Sequence, residues 1–399
     1  MIKKMSSTYK GKTLQEGHSR PVKHIKFSSD GKYVFSASAD RLVIKWDYKN
    51  DVKSNVYTHQ ASVNVICISN SNKYMFTGDS TGVIYVWDII KNEQIKRITF
   101  KVFYNIRSLN LSTDETYLIT TLAERTAKGI SHVAIYLIDD IIKVNSNPSL
   151  GNASPNDSSP EPETYKKYVC SEINTKFVKS CFSNMNKSVL ISREDGVLEM
   201  YDFYTDALIS SFKFHNDEIL DFDVNDEYGI IITSSKDGEM SLINSNSFQL
   251  INKFKPTNPV RNLNACQIAV IDNPYYSAPG VEKGISIDTL FDLNSMDLTK
   301  LKYFENEEDN EKAKKYKNKK QIVLAIVGGG QDSKFVTTTE KKEGGFEIII
   351  YNTLTGEKLT EFLEHFGTIN TLAVHKNILA SGAEDASVKV YEIDRYLFS

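Results

Sequence analysis

The stretch GHSRPVKHIKFSSDGKYVFSASADRLVIKWD (17–47) decides the fold. It holds three short apolar runs, VKHIKF (22–27), YVFSAS (33–38) and LVIKWD (42–47), joined by SSDGK and AD. Runs of this length, rich in Val, Ile, Phe and Tyr, read as strands, because branched and aromatic side chains pack on a pleated surface. Gly, Asp and Ser between them supply the turns. Similar runs continue along the chain without a long 3.6-period segment, so the expectation is an all-β protein.

The punctuation of this stretch is periodic. His18 precedes Trp46 by 28 residues, and the same spacing separates His59 from Trp87 and His215 from Ile243. His365 precedes Tyr391 by 26, because the connection in AVHKNIL is clipped. A second mark falls six residues before each aromatic position: Asp40 before Trp46, Asp195 before Tyr201, Asp237 before Ile243 and Asp385 before Tyr391. Blade ends recur about 41 residues apart where nothing is inserted, as from Trp46 to Trp87. A period of roughly 40–45 with G-H and W-D marks is the WD40 signature.

One four-stranded sheet cannot bury both faces alone, so such units stack around an axis as a propeller. Segment ends near Trp46, Trp87, Ile138, Tyr201, Ile243, Tyr351 and Tyr391 give seven blades. The fold expected over residues 1–399 is therefore a seven-bladed WD40 β-propeller. Too few residues follow Tyr391 for an outer strand, so Lys12–Glu16 should close the ring and protect its edges. The His and Asp marks read as a structural hydrogen-bond network reaching the buried Trp. Blades 3 and 6 lack both marks, and blade 2 has Thr81 in the Asp position with Asp79 two residues earlier.

Two segments interrupt the repeat. Residues 143–165, rich in Ser, Asn and Pro, read as a flexible loop insertion in blade 3. Residues 271–320 read as a charged insertion in blade 6, ending in an acidic cluster (Glu305 to Glu311) and then a basic one (Lys312 to Lys320), with a short helix expected over 308–317.

Composition narrows the function. With 48 basic and 51 acidic residues the net charge is −3, which argues against a non-specific polyanion binder. The opening MIKKMSSTYKGK has charge but no apolar core, so no secretory signal and no membrane span are read, and a cytoplasmic protein is expected. The four cysteines lie far apart, without metal-site spacing, and read as small buried hydrophobes. Gly328-Gly329-Gly330 is followed by Gln331-Asp332 rather than Gly-Lys-Ser/Thr, so these glycines read as a bulge or close packing and not a phosphate loop. His24, His132 and His375 have no acid or nucleophile at a recognisable spacing. No catalytic residues, cofactor or metal are expected, and the chain reads as a binding scaffold rather than an enzyme.

The C-terminal third is more specific. GGGQDSKFVTTTEKKEGGFEIIIYN (328–352) and HFGTINTLAVHKNILASGAEDASVKVYEIDRYLF (365–398) resemble subunit I of eukaryotic translation initiation factor 3. The opening repeat and ITSSKDGEMSLIN (232–244) are similar to that family too, although Ala383, Ala386 and Asn244 depart from its usual residues. The resemblance implies a non-catalytic subunit that supports recruitment of mRNA and initiator tRNA to the small ribosomal subunit. It also implies binding to subunits B and G, with a largely helical segment of B on the side of blades 5 and 6. Carried over by position, the partner-binding candidates are Asp226 or Glu227, Asn244 and Gln331. The small ribosomal subunit would be reached through the complex, with no sequence-specific nucleic acid contact and no homo-oligomer. The alternative is a WD40 adaptor of another complex, associated with a kinase receptor or with splicing.

Overall fold

In blade 1 the quoted stretch forms three adjacent antiparallel strands, Val22–Phe27, Val34–Ser38 and Leu42–Asp47, and a fourth, Val52–Thr58, lies outside them. Strands of each blade are called a to d from the centre outward. The computed structural model describes residues 11–14, 17–100, 102, 104–126, 129–143, 163–170, 175–256, 262–272, 321–331 and 345–397. It contains seven such four-stranded sheets. Strand a is Val63–Ile68 in blade 2, Tyr104–Leu111 in blade 3, Phe177–Ser183 in blade 4, Ile219–Asn225 in blade 5, Asn262–Asp272 in blade 6 and Ile369–His375 in blade 7.

The a strands contact one another in cyclic order, and the ring closes between blades 7 and 1. Blade 7 takes its d strand from the other end of the chain: Lys12 pairs with Val390 and Thr13 with Lys389. The amide of Leu14 then donates to the Val388 carbonyl (3.0 Å), and the Leu14 side chain is buried beside Trp46 and Val390. Adjacent blades share apolar layers. Trp46 and Ile25 of blade 1 pack with Ala373 and Ala380 of blade 7, while Leu190 and Leu198 of blade 4 pack with Phe222 and Ile231 of blade 5. Each fully buried Leu, Ile or Phe of these layers contributes about 1.5–3 kcal/mol.

Every a strand breaks register at the same place near its start, between Val22 and His24 in blade 1 and at the corresponding residues of the other six. A β-bulge bends a strand and redirects one side chain. In blades 1, 2, 3, 6 and 7 the residue skipped by the register is Lys23, Asn64, Arg107, Asn264 and Asn370, so polar groups gather at one mouth of the central channel. The next side chain along reaches the neighbouring blade. His24 Nδ1 accepts the Ile66 amide (3.3 Å), Ser108 Oγ the Ser180 amide (3.1 Å), Asp221 Oδ2 the Cys266 amide (3.0 Å) and Thr371 Oγ1 the Ile25 amide (3.1 Å). Inner-edge amides that no strand pairs are thereby satisfied.

One blade mark shifts. The aromatic position of blade 3 is Tyr136 rather than Ile138, since Thr120 pairs with Ala134 as Ser36 pairs with Ile44 in blade 1. Ile138 instead begins a short helix, Ile138–Lys143, with Asp139 and Asp140 in its first turn, where acids suit the helix dipole. The two stretches read as insertions fall largely on 144–162 and 273–320, and the helix expected over 308–317 with them, outside the described residues. The described chain leaves for them between strands c and d of blade 3 and between strands a and b of blade 6. No described helix is long and apolar enough to cross a membrane.

Candidate partner-binding site

The histidine marks sit at one end of the propeller, where d–a and b–c connections meet. In blade 1, His18 Nδ1 lies 2.9 Å from Asp40 Oδ2 and Nε2 lies 2.7 Å from Ser36 Oγ, which also accepts the Trp46 indole N–H (2.8 Å). Asp40 accepts the amides of Ser19 and Leu42 as well. Blades 5 and 7 repeat this with His215, Asp237 and Thr233 and with His365, Asp385 and Ser381. Burial alone would raise the carboxyls of Asp237 and Asp385, but the histidines and neighbouring amides hold both well below the usual range. Every polar atom of these sets faces inward to a partner, which suits a brace and leaves no open position for a reacting group.

Blades 2 and 4 depart from the pattern. His59 Nε2 meets Thr77 Oγ1 (2.7 Å), which accepts the Trp87 indole (3.1 Å), but its buried Nδ1 has no hydrogen-bond partner among the described residues. Burial accordingly holds the His59 imidazole down to about 4. Asp79, fully buried, turns to the amides of Thr81 and Val83 instead. Asp195 meets no histidine among the described residues. Arg193 spans Asp195 (2.5 Å) and Glu199 (2.7 Å), and the Tyr201 hydroxyl donates to Glu199 (2.9 Å). By register Ile191 and Tyr201 stand where blade 1 has Ser36 and Trp46, while the ion-pair residues Arg193 and Glu199 stand where it has Ser38 and Ile44, a replacement the single Asp195 mark does not signal.

The partner-binding candidates do not form one cluster. Asp226 and Glu227 lie in the a–b turn of blade 5, and Asn244 ends its c strand at the same end, because Asn225 pairs with Ile230 and Ile230 with Asn244. Gln331 follows Gly330, which pairs with Asn262 at the start of the a strand of blade 6. That is the histidine end, a full ten-residue strand or roughly 30 Å away. The Gln331 carbonyl there accepts the Thr368 hydroxyl. Gln331 thus stands at the opposite end of the propeller from Asp226, Glu227 and Asn244.

These three residues differ in freedom. Asp226 is a strut to blade 4: it accepts the Ser183 hydroxyl (3.0 Å) and the Met185 amide (3.1 Å). Asn244 Oδ1 accepts the amides of Asn246 and Ser247, both at 2.9 Å, and shapes its own turn. Glu227 is exposed and makes no hydrogen bond among the described residues. The chain departs toward 144–162 and 273–320 from this same end.

The channel carries further polar groups that the histidine marks do not reveal. Lys179 Nζ lies 2.6 Å from Asp221, which keeps the ammonium charged against the opposing effect of burial. At the histidine end Arg107 reaches Glu194 of blade 4 (2.5 Å) and Glu218 of blade 5 (3.5 Å). The pairing register locates Arg107, since the blade spacing from Lys23 to Asn64 would lead to Asn105 instead. Burial pushes the Cys67 thiol up to about 11 and the Cys181 thiol up to about 12, so both stay protonated at neutral pH. No group of three metal-ligating side chains occurs among the described residues.

Comparison with known proteins adds two findings. A family model described as WD domain, G-beta repeat, matches residues 10–47 and 51–88, which hold strands a to c of blades 1 and 2, each with the d strand that precedes it in the chain. Proteins named eukaryotic translation initiation factor 3 subunit I are similar along nearly the whole chain. The one from Neosartorya fischeri is 25% identical over 390 residues, covering 96% of this chain and 95% of its own. That from Aspergillus terreus is 26% identical over 392 residues with the same coverage, and that from Schizosaccharomyces pombe is 24% identical over 390, covering 96% and 97%. The chain is thus a seven-bladed WD-repeat propeller whose curated relatives, matched almost end to end, bear the name of subunit I of translation initiation factor 3.

Proposed function

We propose that this propeller is a non-catalytic scaffold subunit of the translation initiation factor 3 complex in the cytoplasm. The observation that carries the reading is the end-to-end match: relatives of that name cover 95–97% of their own length with 96% of this one. A shared repeat type alone would match blades, as the family model does over residues 10–47 and 51–88. In this reading the propeller binds subunits B and G and helps bring mRNA and initiator tRNA to the small ribosomal subunit through them.

The a–b end of blade 5 is the proposed contact for the helical segment of B, with Glu227 at its centre and Asn244 as a hydrogen-bonding neighbour. Glu227 is the clean probe, because Asp226 also braces blade 4 and its loss would perturb the turn. Glu227→Lys should weaken binding of that segment about ten-fold, as loss of a charge-assisted contact does. Thermal unfolding should stay within a degree or so of the parent, as for a surface substitution. Titration calorimetry with the purified segment reads the difference, and equal affinity for both proteins would remove blade 5 from the contact.

A further inference from the structure

We propose that the channel mouth at blades 2 to 4 is a second docking site, one that takes an acidic group on a peptide segment of a partner protein. It lies at the histidine end, opposite Asp226 and Glu227, and does not depend on the identity of the complex. A cavity of about 450 Å³ opens there between Asn64, Ser80, Asn105, Arg107, Arg125 and Lys176. Three cations converge on it from blades 3 and 4. Arg107 is already matched by Glu194 and Glu218. Arg125 and Lys176 are not matched by any carboxylate among the described residues.

Their hydrogen bonds fix them without neutralising them. Lys176 Nζ donates to the carbonyls of Glu124 (3.1 Å) and Thr126 (2.9 Å), and Arg125 donates to the Ser80 carbonyl (3.2 Å). An ammonium has three donors and a guanidinium five, so both retain donors for a ligand. The one carboxylate among the described residues that lines the cavity, Glu124, accepts the Ile130 amide (3.2 Å) within its own hairpin. Cations held in place beforehand lose little freedom on binding, which favours a small oxyanion.

The surroundings favour a peptide over a nucleic acid. Single-stranded RNA sites combine a cationic groove with aromatic platforms, and among the described residues no aromatic ring lines this cavity. Its volume suits one or two side chains. At the same end of blade 3 stand two exposed apolar residues, Val102 (44% exposed) and Ile130 (55%). An acidic side chain in the cavity with an apolar neighbour against Val102 and Ile130 matches both features. The oxyanion is a carboxylate of Asp or Glu or the phosphate of a modified serine.

The full chain is compared with Arg125→Glu/Lys176→Met, its fold checked by circular dichroism; if that pair fails to fold, Arg125→Gln alone carries the comparison. Inorganic phosphate at constant ionic strength should raise the melting temperature of the parent and not of the variant. Labelled octapeptides with a central Glu or phosphoserine between leucines should bind about ten-fold more tightly than their Gln and Ser twins, and lose that advantage on the variant. The stronger binder identifies the source of the oxyanion. An equal phosphate response in both proteins, or charged peptides no better than their neutral twins, overturns the proposal. Octauridylate binding that needs Arg125 and Lys176 while peptide binding does not would overturn it in favour of RNA.

Discussion

Replacing Asp40 with alanine should destabilise the propeller by about 2–3 kcal/mol. The Asp40 side chain is 6% exposed and accepts hydrogen bonds from His18 Nδ1 (2.9 Å), Ser19 N (3.0 Å) and Leu42 N (3.0 Å). Bonds to a charged acceptor contribute about 1.5–3 kcal/mol each, but they do not add, because the exposed Ser19 amide can turn to water. The His18 ring cannot, and a buried N–H left unpaired costs about 1–3 kcal/mol. At about 2.1 cal/mol/K per residue over 399 residues, this lowers the melting temperature by about 3 °C. Urea unfolding followed by the fluorescence of Trp46 and Trp87 gives the free energy, and a cycle with His18→Ala gives the coupling, expected at about 1–2 kcal/mol. The Asp40 carboxyl, raised by burial but lowered more by His18 and the two amides, titrates below its unfolded value. Its contribution is therefore complete above about pH 4 and fades as the pH falls through the folded value. A loss below about 0.5 kcal/mol, or a coupling near zero, would refute the brace reading.

Two further outcomes follow from buried groups. Burial holds His132 down to about 4, so the folded protein resists its protonation while the unfolded chain takes the proton near pH 6.5. Stability should fall between pH 7 and pH 5, and His132→Phe should reduce that fall by about 2 kcal/mol in urea titrations; an unchanged pH dependence would count against it. At Gly329 an added Cβ would lie 1.9 Å from the Asn262 carbonyl oxygen, so Gly329→Ala should cost about 3 kcal/mol by urea midpoint. A cost under about 1 kcal/mol would mean that strands a and b of blade 6 do not approach as closely as described.

The ring was legible wherever polar marks repeat. His18 and His215 each stand 22 residues before their aspartates and His365 stands 20 before Asp385, because each set must close the same hydrogen-bond circuit. Where the circuit is rebuilt, spacing misleads. Ile138-Asp139 imitates the end of a blade, yet the strand ends at Leu137 and a helix begins. Asp195 carries the expected spacing but serves Arg193, whose second partner Glu199 lies on the next strand, where blade 1 has the apolar Ile44. The candidate site was only partly readable for a geometric reason. Asp226 and Gln331 are both loop residues in the sequence, but a strand direction separates them, and only pairing registers reveal which end each occupies. The cavity around Arg107 depends on a bulge repeated in all seven a strands, which leaves no residue signature of its own.

The most direct test of the central claim is affinity purification of the tagged full-length chain from its own cells, washed at moderate salt, with co-purifying chains quantified by mass spectrometry. The account predicts the B and G subunits of translation initiation factor 3 in amounts comparable to the bait. Their absence, with splicing or receptor-kinase components in their place, would contradict the proposed complex and leave the propeller as a scaffold for something else.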